Sequence, residues 1–175
     1  MYDHAITHLA DWYYVQVLEY KKINHKEIKK HIRRTISYSW NMLGDLDINK
    51  KLVSKAAYDE FKKLKTLGKD IRDMSWSDQV RSIDNGGLGD VGRKVFHWEH
   101  AFTRNDFVTL LLDSESNLTR EDIANIVKQH QIIWILKNEN EILNKMKRYD
   151  GVRYDRSRPD GWRKVYEEAG IEILD

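Results

Sequence analysis

No cysteine occurs among the 175 residues of this chain. Disulfides, thiolate zinc sites and cysteine nucleophiles are therefore excluded, and any metal must be held by His, Asp, Glu or Asn. Proline is nearly as scarce, with Pro159 the single example, and neither a repeat nor a low-complexity linker divides the sequence. No stretch approaches the ~20 apolar residues that a bilayer span needs. The first ten residues alternate polar and apolar side chains where a signal peptide would carry an apolar core. A cytoplasmic protein with no membrane partner is expected. Charge of one sign is also lacking: 30 Lys and Arg against 28 Asp and Glu leave +2. Global charge thus selects no partner, and local patches carry the information.

What remains is ample for a core. At 41% hydrophobic and 33% charged residues the chain is too apolar for disorder and too charged for a membrane protein. Its length suits one domain, residues 1–175, divisible if at all into a helical subdomain 1–83 and an α+β catalytic subdomain 84–175.

Ile6, Leu9, Tyr13, Val17 and Leu18 recur at helical spacing and predict a first helix from Asp3 to Tyr20. Asn24 as N-cap with Glu27 three residues on, then Ile28, Ile32, Ile36, Trp40 and Leu43, predict a second, long helix ending at Gly44. Leu52, Ala56, Phe61 and Leu64 suggest a third from about Lys51 to Leu67. The four glycines between Gly86 and Gly92 mark a turn, without the Lys-Ser/Thr ending of a phosphate-binding loop. Two segments read as strands, Lys94 to Phe102 and Ile132 to Leu136. Helices should run from Thr103 to Leu112, from Thr119 with its Asp122 capping box, and from about Asn138 past Met146. A last helix, Trp162 to Ala169, leads to an edge strand at Ile171 to Leu174. The expected fold is α+β and predominantly α-helical, with N-terminal helices and a small C-terminal β-sheet surrounded by helices.

The densest chemistry lies in His97-Trp98-Glu99-His100. Alternation along a strand puts His97 and Glu99 on one face and His100 on the other, so a bend after Glu99 is needed to bring Glu99 and His100 together. The Glu99-His100 pair on a strand, followed by the strand Ile132 to Leu136 and a helix from Asn138, resembles the core of the HNH or ββα-metal nucleases. It departs from that pattern in the absence of a proline after the pair and in helical segments between the strands. The resemblance implies His100 as general base for water, and Glu99 with Glu139 or Asn140 as ligands to a divalent cation. Phosphodiester hydrolysis needs both an activated water and a cation opposite the developing charge. Oxygen ligands favour Mg²⁺ or Mn²⁺ over zinc. A PD-(D/E)xK arrangement fits less well, because Glu99-His100-Ala101 lacks the lysine.

Two basic regions accompany this cluster. Lys26, Lys29, Lys30, Arg33 and Arg34 line one face of the second helix, and Arg153, Arg156 and Arg158 crowd the loop before Pro159. Both suit phosphate contacts. His4 and His8 have metal-ligand spacing on a helix but lack the glutamate of a zinc-protease helix. The function expected is a metal-dependent endonuclease acting on DNA in preference to RNA, in restriction-type fashion, with a homodimer natural for cutting two strands. The competing expectation is a non-enzymatic helical module that binds nucleic acid or a protein, in which Thr119 to His130 belongs to a helix-turn-helix-like unit.

Overall fold

A computed structural model describes residues 2–46, 48–64, 68–115, 117–146 and 161–175. Seven α-helices and four strands occur among them, an α+β and predominantly helical fold: α1 (Tyr2–Lys22), α2 (Lys26–Met42), β1 (Leu52–Ser54), α3 (Lys55–Lys62), β2 (Phe96–His100), α4 (Arg104–Leu112), α5 (Arg120–Val127), β3 (Ile132–Leu136), α6 (Lys137–Lys145), α7 (Gly161–Glu168) and β4 (Ile173–Leu174). They assemble as two compact units, residues 1–49 with 102–130, and residues 50–101 with 131–175. The division drawn from sequence between residues 83 and 84 falls inside the second unit.

The first unit is all helical. Its core joins Ile6, Ala10, Tyr13 and Val17 of α1 and Ile32, Ile36 and Trp40 of α2 to Phe107, Val108 and Leu111 of α4 and Ile123, Ile126 and Val127 of α5. Trp40 stacks on Phe107 with ring centroids 3.9 Å apart, and its indole N–H donates to the Phe102 carbonyl at 3.1 Å. That bond satisfies the one polar atom such a ring brings into a core. Thr103 caps α4 and a Thr119–Asp122 capping box starts α5. His25, not Asn24, occupies the cap position of α2, and its side chain makes no cap bond.

The second unit is a mixed sheet in the order β2-β3-β1-β4, covered on both faces. β3 runs antiparallel to β2 and parallel to β1, while β4 closes the far edge antiparallel to β1. Because side chains alternate along β3, Ile132 and Trp134 enter one core with Val53, Ala57, Phe61, Phe96 and Trp98. Ile133 and Ile135 enter the other with Leu52, Leu143, Trp162, Val165 and Tyr166. α3 therefore covers one face, and α6 and α7 the other.

The helix expected from Lys51 to Leu67 is in fact strand and helix. Leu52-Val53-Ser54 pairs between β3 and β4, and Ser54 then caps α3 by accepting the Ala57 N–H at 3.1 Å. β1 is three residues long and runs directly into an amphipathic helix, so the helical period masks it. The strand expected over Lys94 to Phe102 is confined to Phe96–His100.

The turn leading into β2 is built around one carboxylate. Asp90, 6% exposed, accepts the backbone N–H groups of Lys94 and Phe96 at 2.7 and 2.9 Å and the Gln79 side-chain amide at 2.9 Å. The same Gln79 amide reaches the Phe96 carbonyl at 2.6 Å. Burial by itself would raise the Asp90 carboxyl, but the bonds from Gln79 and from the Phe96, Lys94 and Val95 amides outweigh it and hold it below the ordinary carboxylate range. Stability from such a group is present above the unfolded pKa, about 4, and is lost as pH falls through the lower folded value. Asp90→Asn should lower stability at pH 7 by about 1–3 kcal/mol, the scale of a disrupted buried hydrogen-bond set. Thermal melts from pH 7 to pH 3 should show the gap to wild type closing below about pH 4; a gap independent of pH would mean that the ionised carboxylate is not what holds the turn.

Candidate functional site

β2 carries its chemistry on alternate faces. Phe96 and Trp98 point into the core beside α3, so His97 and Glu99 project on the opposite face, where α6 packs against both β2 and β3. There His97 Nε2 lies 3.1 Å from Glu99 Oε2, and the Lys137 ammonium lies 3.2 Å from His97 Nδ1. An ammonium only donates, so Nδ1 is the acceptor and Nε2 carries the proton given to Glu99. The result is a directional chain from the first residue of α6, through an imidazole, to a carboxylate on the neighbouring strand. His97 and Glu99 side chains are 26% and 14% exposed, open enough to meet a ligand and covered enough to keep their geometry.

The ladder between β2 and β3 is regular from Phe96 opposite Leu136 to His100 opposite Ile132. No bulge follows Glu99, so His100 projects to the other face and sits at the far end of the ladder from the start of α6. The Glu99 carboxylate faces His97.

Glu139 lies at the Leu136 end. Its Oε2 accepts the Leu136 N–H and the Ser54 hydroxyl, both at 2.7 Å, and the residue is 8% exposed. Ser54 caps α3 with the same hydroxyl oxygen. Two helices leaving adjacent parallel strands toward opposite faces thus meet at their N-termini through one buried carboxylate. Amide N–H groups and helix dipoles favour a negative charge there, and Glu139 supplies it from within the fold. Asn140, expected beside it as a ligand, accepts the Asn144 side-chain amide at 3.3 Å. Among the described residues no group of three or more His, Asp or Glu side chains stands close enough to chelate a metal. His4 and His8 are an edge-to-face ring pair with centroids 4.3 Å apart.

Part of the basic face of α2 is engaged within its own unit. Arg33 is bound by both oxygens of Asp113, Lys30 lies 3.8 Å from Glu27, and Lys29 sits 5.0 Å above the Tyr20 ring. Lys26 and Arg34 are exposed. Arg153, Arg156 and Arg158 lie outside the described residues.

Lys137 and Ser54 were not singled out from the sequence. The alternation of His97 and Glu99 was legible, but their partner stands forty positions later in sequence and is brought in only by the β2–β3 pairing. No family model, no curated protein and no solved structure matches the chain.

The Glu139 geometry makes a clear forecast. Glu139→Ala strands the Ser54 hydroxyl and the Leu136 amide in a buried site, which should cost about 1–3 kcal/mol in chemical denaturation while leaving nucleic-acid affinity unchanged. A variant as stable as wild type but altered in metal response would instead identify Glu139 as a ligand.

Proposed function

We propose that this chain is an endonuclease that hydrolyses phosphodiester bonds in DNA, with its centre on β2 beside α6. What carries the reading is the antiparallel β2–β3 pair followed without a break by α6, with Glu99 on the face to which α6 packs and linked to its first residue through His97. That is the strand-strand-helix order of the ββα-metal core, with an acid-imidazole pair on its first strand.

The side chains divide the work by their geometry. His97 has one ring nitrogen facing Glu99 and the other facing Lys137, so it offers no lone pair to water. It acts as a positioning residue, fixing the carboxylate and setting its hydrogen-bonding direction. Lys137 brings a positive charge to the rim of the site, suited to an approaching phosphate. His100, next in sequence and partly buried at the strand end, is the general base in this reading, which requires the strand end to turn after Glu99 when substrate binds so that both side chains reach one phosphate. Magnesium or manganese, when bound, supplies charge neutralisation on the phosphate. Such ions keep much of their water and need only one or two protein carboxylates beside the substrate. Glu99, less buried than Glu139, is the residue that would hold one. A homodimer acting on duplex DNA remains part of the proposal.

Incubating the full chain with single-stranded DNA, duplex DNA and structured RNA in Mg²⁺ or Mn²⁺ tests it. Cleavage should appear on DNA and vanish with EDTA. His100→Ala and Glu99→Gln should each reduce the rate by roughly 10²-fold or more with affinity retained, the scale of a lost general acid-base group. His97→Ala should fall between these variants and wild type. Absence of cleavage on all three substrates, or full cleavage by Glu99→Gln, would sink the nuclease reading; undiminished cleavage in EDTA would remove the metal from it.

A further inference from the structure

The turn that feeds β2 ends in a residue with an unfavourable backbone. Arg93 has φ of 52°, in the left-handed region that side chains with a Cβ rarely adopt, although glycine stands immediately before it at φ 79°. Such an outlier persists only where the surroundings over-determine it, and it is a pointer to function. Here the surroundings place the Arg93 guanidinium 3.5 Å from the centroid of the Trp76 ring.

Both members of this stack are unusual within the chain. Trp76 is 49% exposed, more than any of the other five tryptophans, which range from 0 to 37%. Arg93 pairs with no carboxylate among the described residues, and its Nε is covered without a hydrogen-bond partner among them. By contrast, the neighbouring Arg81 is neutralised by Asp78. The turn does not need the stack for its order. Trp76 belongs to a 3-10 turn, Trp76–Gln79, closed by the Ser75–Asp78 capping box, and Gln79 of that turn bonds Asp90, which in turn holds the amides from Lys94 to Phe96. The two segments are already tied together beneath the stack by buried polar bonds.

We infer that Trp76 and Arg93 form a preorganised platform for an unpaired nucleobase, the base stacking on the indole and Arg93 contacting an adjoining phosphate. An exposed aromatic ring joined to an uncompensated guanidinium is the combination by which proteins hold single strands without reading sequence. The platform is joined directly to the site on β2: the Val95 carbonyl accepts the Lys137 N–H at 2.8 Å, and four residues of chain from Arg93 to His97 reach no further than about 14 Å. Arg93 thus lies on the segment that runs directly into the strand bearing Glu99. The inference deepens the nuclease reading and rests on it for the identity of the ligand.

Binding of a fluorescein-labelled single-stranded oligodeoxynucleotide of mixed sequence, and of its blunt duplex, to the full chain in EDTA tests the platform without cleavage. Trp76→Ala should weaken single-strand binding about tenfold or more, Trp76→Phe should keep most of the affinity, and the duplex should respond less. Arg93→Ala should weaken binding and reduce the salt slope by about one counterion. Melting curves confirm that each variant is folded. Trp76→Ala binding the single strand as tightly as wild type would overturn the platform, as would a wild-type chain that binds no single strand. Trp76-dependent binding by a chain that cuts nothing keeps the platform and removes the nuclease reading. Cleavage with binding indifferent to Trp76 does the reverse.

Discussion

The burial of β3 on both faces is the constraint from which the second unit follows. A strand that reads Ile-Ile-Trp-Ile-Leu has no polar side to turn to water, so both faces must be covered and both edges paired. β1 and β2 satisfy the edges, α3 covers one face, and α6 and α7 cover the other. Once β3 is central, β2 can only be its outer neighbour, with Phe96 and Trp98 turned to one core and His97 and Glu99 to the α6 side. The placement of the acid-imidazole pair is therefore a consequence of hydrophobic alternation two strands wide.

Polar groups then do locally what apolar burial cannot. Three carboxylates act as local anchors: Asp90 gathers the amides before β2, Glu139 joins the N-termini of α3 and α6, and Asp122 closes the start of α5. Each accepts at least one backbone N–H at the start of a helix or strand. Glu99 differs in that it accepts from a side chain, His97, which is itself held by a third side chain, Lys137. A carboxylate oriented by a hydrogen-bonded imidazole is arranged for an encounter, whereas one wrapped in amides is arranged for a fold.

Much of this was legible in the sequence. The helical periods of α1, α2 and α5, the Thr103 and Thr119 caps, the apolar run of β3 and the alternation that separates His100 from Glu99 all depend on residues close together in the chain. β1 was hidden because three strand residues followed by an amphipathic helix look like one helix. Lys137, Ser54 and the Gln79–Asp90 bond were hidden for a different reason: each acquires its meaning from a partner that only tertiary pairing supplies. The same holds for the basic face of α2, whose Arg33 reads as a phosphate contact until Asp113 is seen to hold it.

The two units interrupt one another along the chain, residues 50–101 falling between the halves of the first and residues 102–130 between the halves of the second. Asn49 donates to the Lys128 and His130 carbonyls, and Gln131 to the Lys50 carbonyl, so two of the crossing points are fastened from each side. For a ribosome delivering the chain from its N-terminus, this order imposes waiting. α1 and α2 emerge long before α4 and α5, the helices that bury their apolar faces. β1 and β2 then remain without the strand that pairs with both until Ile132 to Leu136 has been made. Nascent chains of intermediate length expose apolar helix faces and unpaired strand edges together, which makes translation the stage at which this fold most needs a holding chaperone.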